Sequence, residues 1–239
     1  MTISPEAKQK IQLFLVAALA ITGVRAAYII YQRKSGDAAE AKKAAPPPLN
    51  ADYYVTPKKL YPYDLKSAKQ LTQQPVWVKE GYRYTYYPYN AAAKKVDFGH
   101  EAGTLAPIQK LEVKDVVTDV APGAGGRQVL AVFDEGGKMY AVPIGSAEGG
   151  SYHIYSDEMF FIEDPHELYK HWSADTWTAI DQHEVKAGMN ELQADFAIGM
   201  GVPEPSGDAS MKTVNYPNGG HPLTVVYQQG KASEVKPRG

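Results

Sequence analysis

The chain has 239 residues, 44% of them hydrophobic, and sets 25 Lys and Arg against 27 Asp and Glu for a net charge of −2. That balance leaves no basic stripe to neutralise phosphates, so nucleic acid is excluded as a partner. The lack of Cys excludes thiol catalysis, thiolate zinc sites, disulfides and lipoprotein acylation, and 17 Pro with 21 Gly favour strands and turns over a helical bundle.

The first element is IQLFLVAALAITGVRAAYIIY at 11–31, which carries a single charge, Arg25. As a helix it would span roughly 31 Å, close to the hydrocarbon thickness of a bilayer. Arg25 lies near the end of the run, where its long side chain can snorkel to the headgroups. Tyr28, Tyr31, Arg33 and Lys34 complete an interface group at that end. A signal peptide is the second reading, since Lys8 and Lys10 precede the run and Ala18-Leu19-Ala20 has the form of a cleavage site. Cleavage there would leave an apolar new terminus, so a retained single transmembrane helix is preferred, with a buried core helix third. Basic residues flank both ends, and a count of them alone keeps the body in the cytoplasm. The short N-tail of signal-anchor type instead places the large domain in the periplasm or otherwise outside the cytoplasm.

SGDAAEAKKAAPPPLN at 35–50 reads as a helical stalk stopped by Pro46, Pro47 and Pro48. Short runs rich in β-branched and aromatic residues follow at 76–78, 82–87, 112–120, 128–134, 139–144 and 158–163, bounded by Gly and Pro. QVLAVFD-EGGK-MYAVPI predicts a hairpin turning at Gly136 and Gly137. With one long loop at about 90–104, the set suggests a small SH3-like barrel. Asp164-Pro165-His166-Glu167 predicts a capping box that opens a helix carrying Leu168, Tyr169 and Trp172. Asn190 with Gln193 predicts a second capped start, closed by Gly199. MKTVNY, a PNGG turn, LTVVYQ and a turn at Gly230-Lys231 predict a closing meander. The expected organisation is thus mainly β with an α+β C-terminal part: tail and anchor at 1–34, stalk and linker at 35–60, barrel at 61–163, helix-plus-meander module at 164–239.

HEVKAGMNELQADFAIGMGVPEPSG at 183–207 resembles the signature of the small outer-membrane assembly lipoproteins of the SmpA/OmlA type, through Gly188-Met189, Gln193, Ala197-Ile198-Gly199 and a following proline. PLTVVYQQGKASEV at 222–235 is similar to that family's closing strand pair. The chain departs from the pattern at Ala194, where the family has valine, in two extra residues before Pro203, and in lacking the lipidated cysteine. The resemblance implies a non-catalytic module that holds other envelope proteins or the membrane surface. The region before it more loosely resembles bacterial SH3 domains.

Nine of the 17 tyrosines fall between residues 53 and 89. On a strand, Tyr82, Tyr84 and Tyr86 would share one face, and with Trp77 they are the candidate binding residues for a glycan or a proline-rich peptide. The competing reading makes them packing residues with wet hydroxyls, and is preferred by about two to one. His166 and His171 are five apart, about 140° on a helix, one residue too long for a shared metal. Neither a metal nor a cofactor is expected, and a metallohydrolase using His166, His171 and His183 is a third and weaker reading. The acidic group Asp157, Glu158, Glu163, Asp164 and Glu167 lacks calcium-loop spacing. No GxSxG or Walker loop occurs, and Gly123 to Gly126 reads as a hairpin turn. The sequence therefore points to a non-enzymatic, membrane-anchored envelope scaffold or accessory subunit. Its expected partners are other envelope or membrane proteins and the bilayer through residues 11–31. The alternative is a peptidoglycan or glycan binder.

Overall fold

The structure, a computed structural model, describes residues 14, 16, 19–32, 50–123, 126–205 and 210–238. The chain divides into two compact units, 1–50 and 51–239. In the first, helix α1 covers 19–32, and residues 14 and 16 are also helical. Its apolar side chains stand open: Leu19, Ile21 and Val24 are each about 70% exposed. Among the described residues no helix is long and apolar enough to cross a membrane. The other residues of the expected 11–31 span, Arg33, Lys34 and the stalk at 35–49 lie outside the described residues.

The second unit is mainly β, as the strand-and-turn pattern predicts. After α2 (Leu65–Ala68) come β1 (Val76–Val78), β2 (Thr85–Asn90), β3 (Lys95–Val96), β4 (Gly103–Thr104), β5 (Lys110–Leu111), β6 (Val113–Asp119), β7 (Arg127–Glu135), β8 (Lys138–Glu148) and β9 (Ser151–Ile154). Then follow α3 (Ser156–Met159), β10 (Phe160–Phe161), α4 (Pro165–Leu168), α5 (Ala174–Asp181) and α6 (Glu191–Ile198). The chain closes with β11 (Val202–Pro203), β12 (Met211–Tyr216), β13 (Leu223–Gln228) and β14 (Lys231–Pro237). Three antiparallel sheets result: β3-β2-β8-β7-β6 with β4 and β9 attached, β10-β1-β5, and β11-β12-β13-β14. The β7–β8 hairpin turns at Gly136 and Gly137, whose φ values of 60° and 79° are cheap only for glycine.

Two cores fill this unit, and strand alternation explains both. On β7, Val129, Ala131 and Phe133 point into the first core, with Val113, Val116, Val142 and Ile144. Leu130 and Val132 point the other way, against Ala141, and Val96 and Phe98 of the long loop pack over them. The second core is aromatic: Tyr169, Trp172, Trp177 and Phe196 from the helical part meet Val214, Tyr216, Val225 and Tyr227 of the meander. The sheet β10-β1-β5 stands between the two. Val76 and Val78 face the first core while Trp77 faces the second, and on β10 Phe160 faces the first while Phe161 faces the second. A run of consecutive apolar residues is what a strand buried on both faces requires.

Several sequence expectations shift in detail. The 82–87 strand begins only at Thr85, because Tyr82 adopts a left-handed backbone with φ 62°. Of EMFFIE only Phe160–Phe161 is a strand, and its first residues lie in α3. Asp164 caps α4 with Pro165 at the first position, but its side chain accepts from the His166 N–H instead of forming a box with Glu167. That helix ends at Leu168, so Trp172 lies beyond it, and Ser173 caps a separate α5 through the Thr176 N–H. The box of Asn190 and Gln193 on α6 forms in both directions, and Gly199 ends that helix as expected. The meander is also observed, with β11 added at its edge.

Trp77→Ala removes the largest side chain of the dividing sheet. It should lower the free energy of unfolding by about 3–5 kcal/mol in urea titration, whereas Lys110→Ala, which removes the exposed side chain whose ammonium lies over the same ring, should cost less than about 1 kcal/mol.

Candidate functional site

The four aromatic residues singled out in the sequence occupy three different surroundings. Trp77 is 8% exposed and packs in the second core, with the Lys110 ammonium 5.6 Å from its ring centre. Tyr84 and Tyr86 pack against the first core. Burial pushes the Tyr84 hydroxyl up to about 12. Tyr86 stands edge-on to Phe133 and to Tyr140, with ring centres 5.5 and 5.1 Å apart. Tyr82 leaves their face altogether. Its N–H donates to the Leu105 carbonyl at 2.7 Å, and its ring lies between Gly199, at the end of α6, and Gly219, in the β12–β13 turn. A methyl group on Gly219 would sit 2.8 Å from the ring, and one on Gly199 would sit 2.8 Å from the Gly81 carbonyl oxygen and 3.2 Å from the ring. The ring is therefore a peg between two glycines, and the expected single row of rings does not form.

Gly199-Met200-Gly201 shapes the other side of this junction. Gly199 has φ 79°, and a methyl on Gly201 would come within 2.3 Å of Val214 Cγ1 and 2.8 Å of Tyr216 Cε1. The two glycines let the end of α6 lie directly on β12 and on Tyr82. Met200, between them, is 43% exposed, and its sulfur lies 3.8 Å from the Arg83 guanidinium, which also pairs with Glu80 at 2.7 Å. Behind this lip, the Asp195 carboxyl of α6 accepts from the Tyr216 hydroxyl and the Gly201 N–H. The Tyr216 and Tyr227 hydroxyls are 2.8 Å apart, while Lys212 pairs with Glu191 at 2.6 Å. Burial, then the Glu191 charge, pushes the Asp195 carboxyl up to about 7. A carboxyl poised there with two hydroxyls resembles acid–base machinery in composition. The Tyr216 and Tyr227 side chains are 1% and 2% exposed, however, so this network sits inside the module's core.

The histidines are held separately. His166 stacks on Trp177 with ring centres 4.0 Å apart, its Nδ1 3.0 Å from Asp164 and its Nε2 3.2 Å from Asp181. His183 Nδ1 lies 2.9 Å from the Ala197 carbonyl. His171 Nε2 is 2.6 Å from Asp52, which also accepts from the Trp172 indole N–H at 2.7 Å and the Asn190 amide at 2.9 Å. Among the described residues no group of three or more His, Cys, Asp or Glu could hold a metal ion. Asp52 thus fixes the start of the second unit to α6 and to the aromatic core, a role that a lone Asp before Tyr-Tyr gives no sequence pattern to reveal.

From Asp52 the chain runs as a strap across both cores. Val55 packs on the second core, Leu60 on the first, and Pro62 is buried. The Lys58 N–H donates to Glu163 at 2.8 Å, and its ammonium pairs with the same carboxylate at 3.0 Å. Tyr53, Tyr54, Tyr61 and Tyr63 point outward, between 67% and 78% exposed. Tyr84 and Tyr86, by contrast, are packed against the first core. Of the expected interface group, Arg25, Tyr28 and Tyr31 lie on α1, with both tyrosines exposed.

No protein-family model, curated protein or solved structure matches the chain.

Two outcomes follow from the junction. Gly219→Ala and Tyr82→Ala should each destabilise, and their double-mutant cycle should show a coupling of about 1 kcal/mol, because removing the ring relieves the added methyl group. The Asp195 pKa is raised from 3.8 when unfolded to about 7 when folded, so the folded chain holds the proton more tightly. Its stabilising contribution is complete below pH 3.8 and is lost as pH rises through about 7. Urea titrations between pH 4 and 8 should therefore show a fall on the order of 2–4 kcal/mol that Asp195→Asn flattens.

Proposed function

We propose that the protein is a non-enzymatic, single-pass membrane protein of the cell envelope that acts as a scaffold or accessory subunit through protein–protein contacts. The observation that carries this reading is α1: among the described residues, its large apolar side chains from Leu19 to Ile30 are exposed. Exposed apolar area of that extent calls for an apolar surrounding, and the sequence from 11 to 31 has the length of one bilayer crossing. Arg25, Tyr28, Tyr31, Arg33 and Lys34 form its interface group, and the body lies on the extracytoplasmic side.

The body supports a binding role. Leu111 lies in one sheet and Val113 in the next, so the chain turns a corner at Glu112 in the manner of an SH3-like barrel. α6 followed by the β12–β14 meander fits the helix-plus-meander module that the SmpA/OmlA resemblance implies. Protein contacts are favoured over peptidoglycan because the rings singled out for a glycan, Trp77, Tyr84 and Tyr86, are occupied by packing.

Membranes solubilised in detergent should yield the full chain with stoichiometric partner proteins, and alkaline carbonate should leave it in the membrane fraction. Release by carbonate as a monodisperse monomer would contradict the proposal. Protease protection on intact and permeabilised cells should show the body cut only from outside the cytoplasm.

A further inference from the structure

We infer that the outward side of the strap, residues 53–63, docks on the headgroup region of an anionic bilayer. This rests on the membrane-anchored reading above and adds a second contact to it.

The strap is held, not loose. Asp52 fixes its start through three side-chain partners, Lys58 is tied to Glu163 through both its N–H and its ammonium, and Pro62 is buried. With its inner side committed to the body, it presents Tyr53, Tyr54, Tyr61 and Tyr63 at 67–78% exposure. Large rings left this open offer apolar area to a partner.

Chemistry selects the occupant. YYVTPKKLYPY holds four tyrosines, two lysines and no acidic residue, in a chain whose net charge is −2. Amphipathic phenol rings beside ammonium groups are the composition of membrane–water interfaces, where the ring sits at headgroup level and the charge meets anionic lipid. Lys59 carries no ion pair among the described residues, so its charge is available to a headgroup. Reach is sufficient and bounded: the 18 residues from 33 to 50 extend at most roughly 60 Å, so an anchored chain keeps the strap within that distance of the bilayer. Tethering raises its effective concentration there, so a weak contact suffices.

Because the chain lacks Cys, a single introduced cysteine labels uniquely. The full chain, carrying a fluorophore at Tyr61→Cys, Ile21→Cys or Glu148→Cys at the exposed end of β8, is reconstituted in phosphatidylcholine vesicles with or without phosphatidylglycerol. Nitroxide lipids then quench at headgroup or acyl depth. The label at 61 should be quenched by headgroup nitroxides at least about twofold more than that at 148, only with phosphatidylglycerol, and less when Lys59→Glu is added. Acyl-chain quenching at 21 with no excess at 61, or an excess indifferent to phosphatidylglycerol, would overturn the inference and leave the anchor standing. No quenching at 21 would remove the anchor, and the inference with it.

Discussion

A strand puts successive side chains on opposite faces, and when a strand must serve two cores at once every residue in it is committed. In this protein β1 and β10 are such strands. Trp77 and Phe161 are paired neighbours in register on one face, while Val78 and Phe160 are paired on the other. Neither core closes without this wall. The first would lose Val76, Val78 and Phe160, and the second would lose Trp77 and Phe161, whose ring lies 5.8 Å from that of Phe196. The requirement explains why a tryptophan stands in the middle of a valine strand, and why that tryptophan is unavailable to a ligand. The chain from Asp52 to Pro62 crosses the seam from outside, touching the second core through Val55 and the first through Leu60.

At the far end of the same seam, close approach replaces burial as the governing condition. Tyr82 holds a left-handed backbone that a bulky residue rarely adopts, and the surroundings over-determine it: its N–H is bonded to Leu105 while two glycines accommodate its ring. Gly201 does the same for Tyr216. The motif Gly199-Met200-Gly201 reads here as the contact by which a helix end rests on a sheet. The polar network behind it follows the rule for buried groups, since Asp195, Tyr216 and Tyr227 bond one another and no orphaned atom is left among them.

Much of this was legible from the residues. The β7–β8 hairpin was signalled by two glycines between alternating runs, the α6 cap by Asn190 with Gln193, and the meander by its turns. Local signals of that kind act within a few residues and survive any tertiary context. What could not be read was decided by contacts distant in sequence. Tyr82 has the strand propensity of its neighbours, and its hydrogen bond to Leu105 and the room left by Gly199 and Gly219, more than 100 residues away, accompany its departure from the strand. The capping pattern at Asp164 was visible, but the helix it opens stops at Leu168, and Ser173, itself a good cap, begins another. Asp52 gave no pattern because it reaches partners at 171, 172 and 190. The surroundings of the tyrosines at 82–86 likewise depend on distant contacts. Tyr84 and Tyr86 share a face, and exposure depends on what covers it, which is the first core.

If the dividing sheet joins the two cores into one cooperative body, its amides should open only when everything opens. Native-state hydrogen exchange across residues 51–239 measures this directly. The amides of β1 and β10 should exchange with the same free energy as those of β7 and α6, all equal to the global value from denaturant unfolding. Exchange of α6 and the meander by a separate opening of clearly lower free energy, with β1, β7 and β10 still protected, would contradict the account.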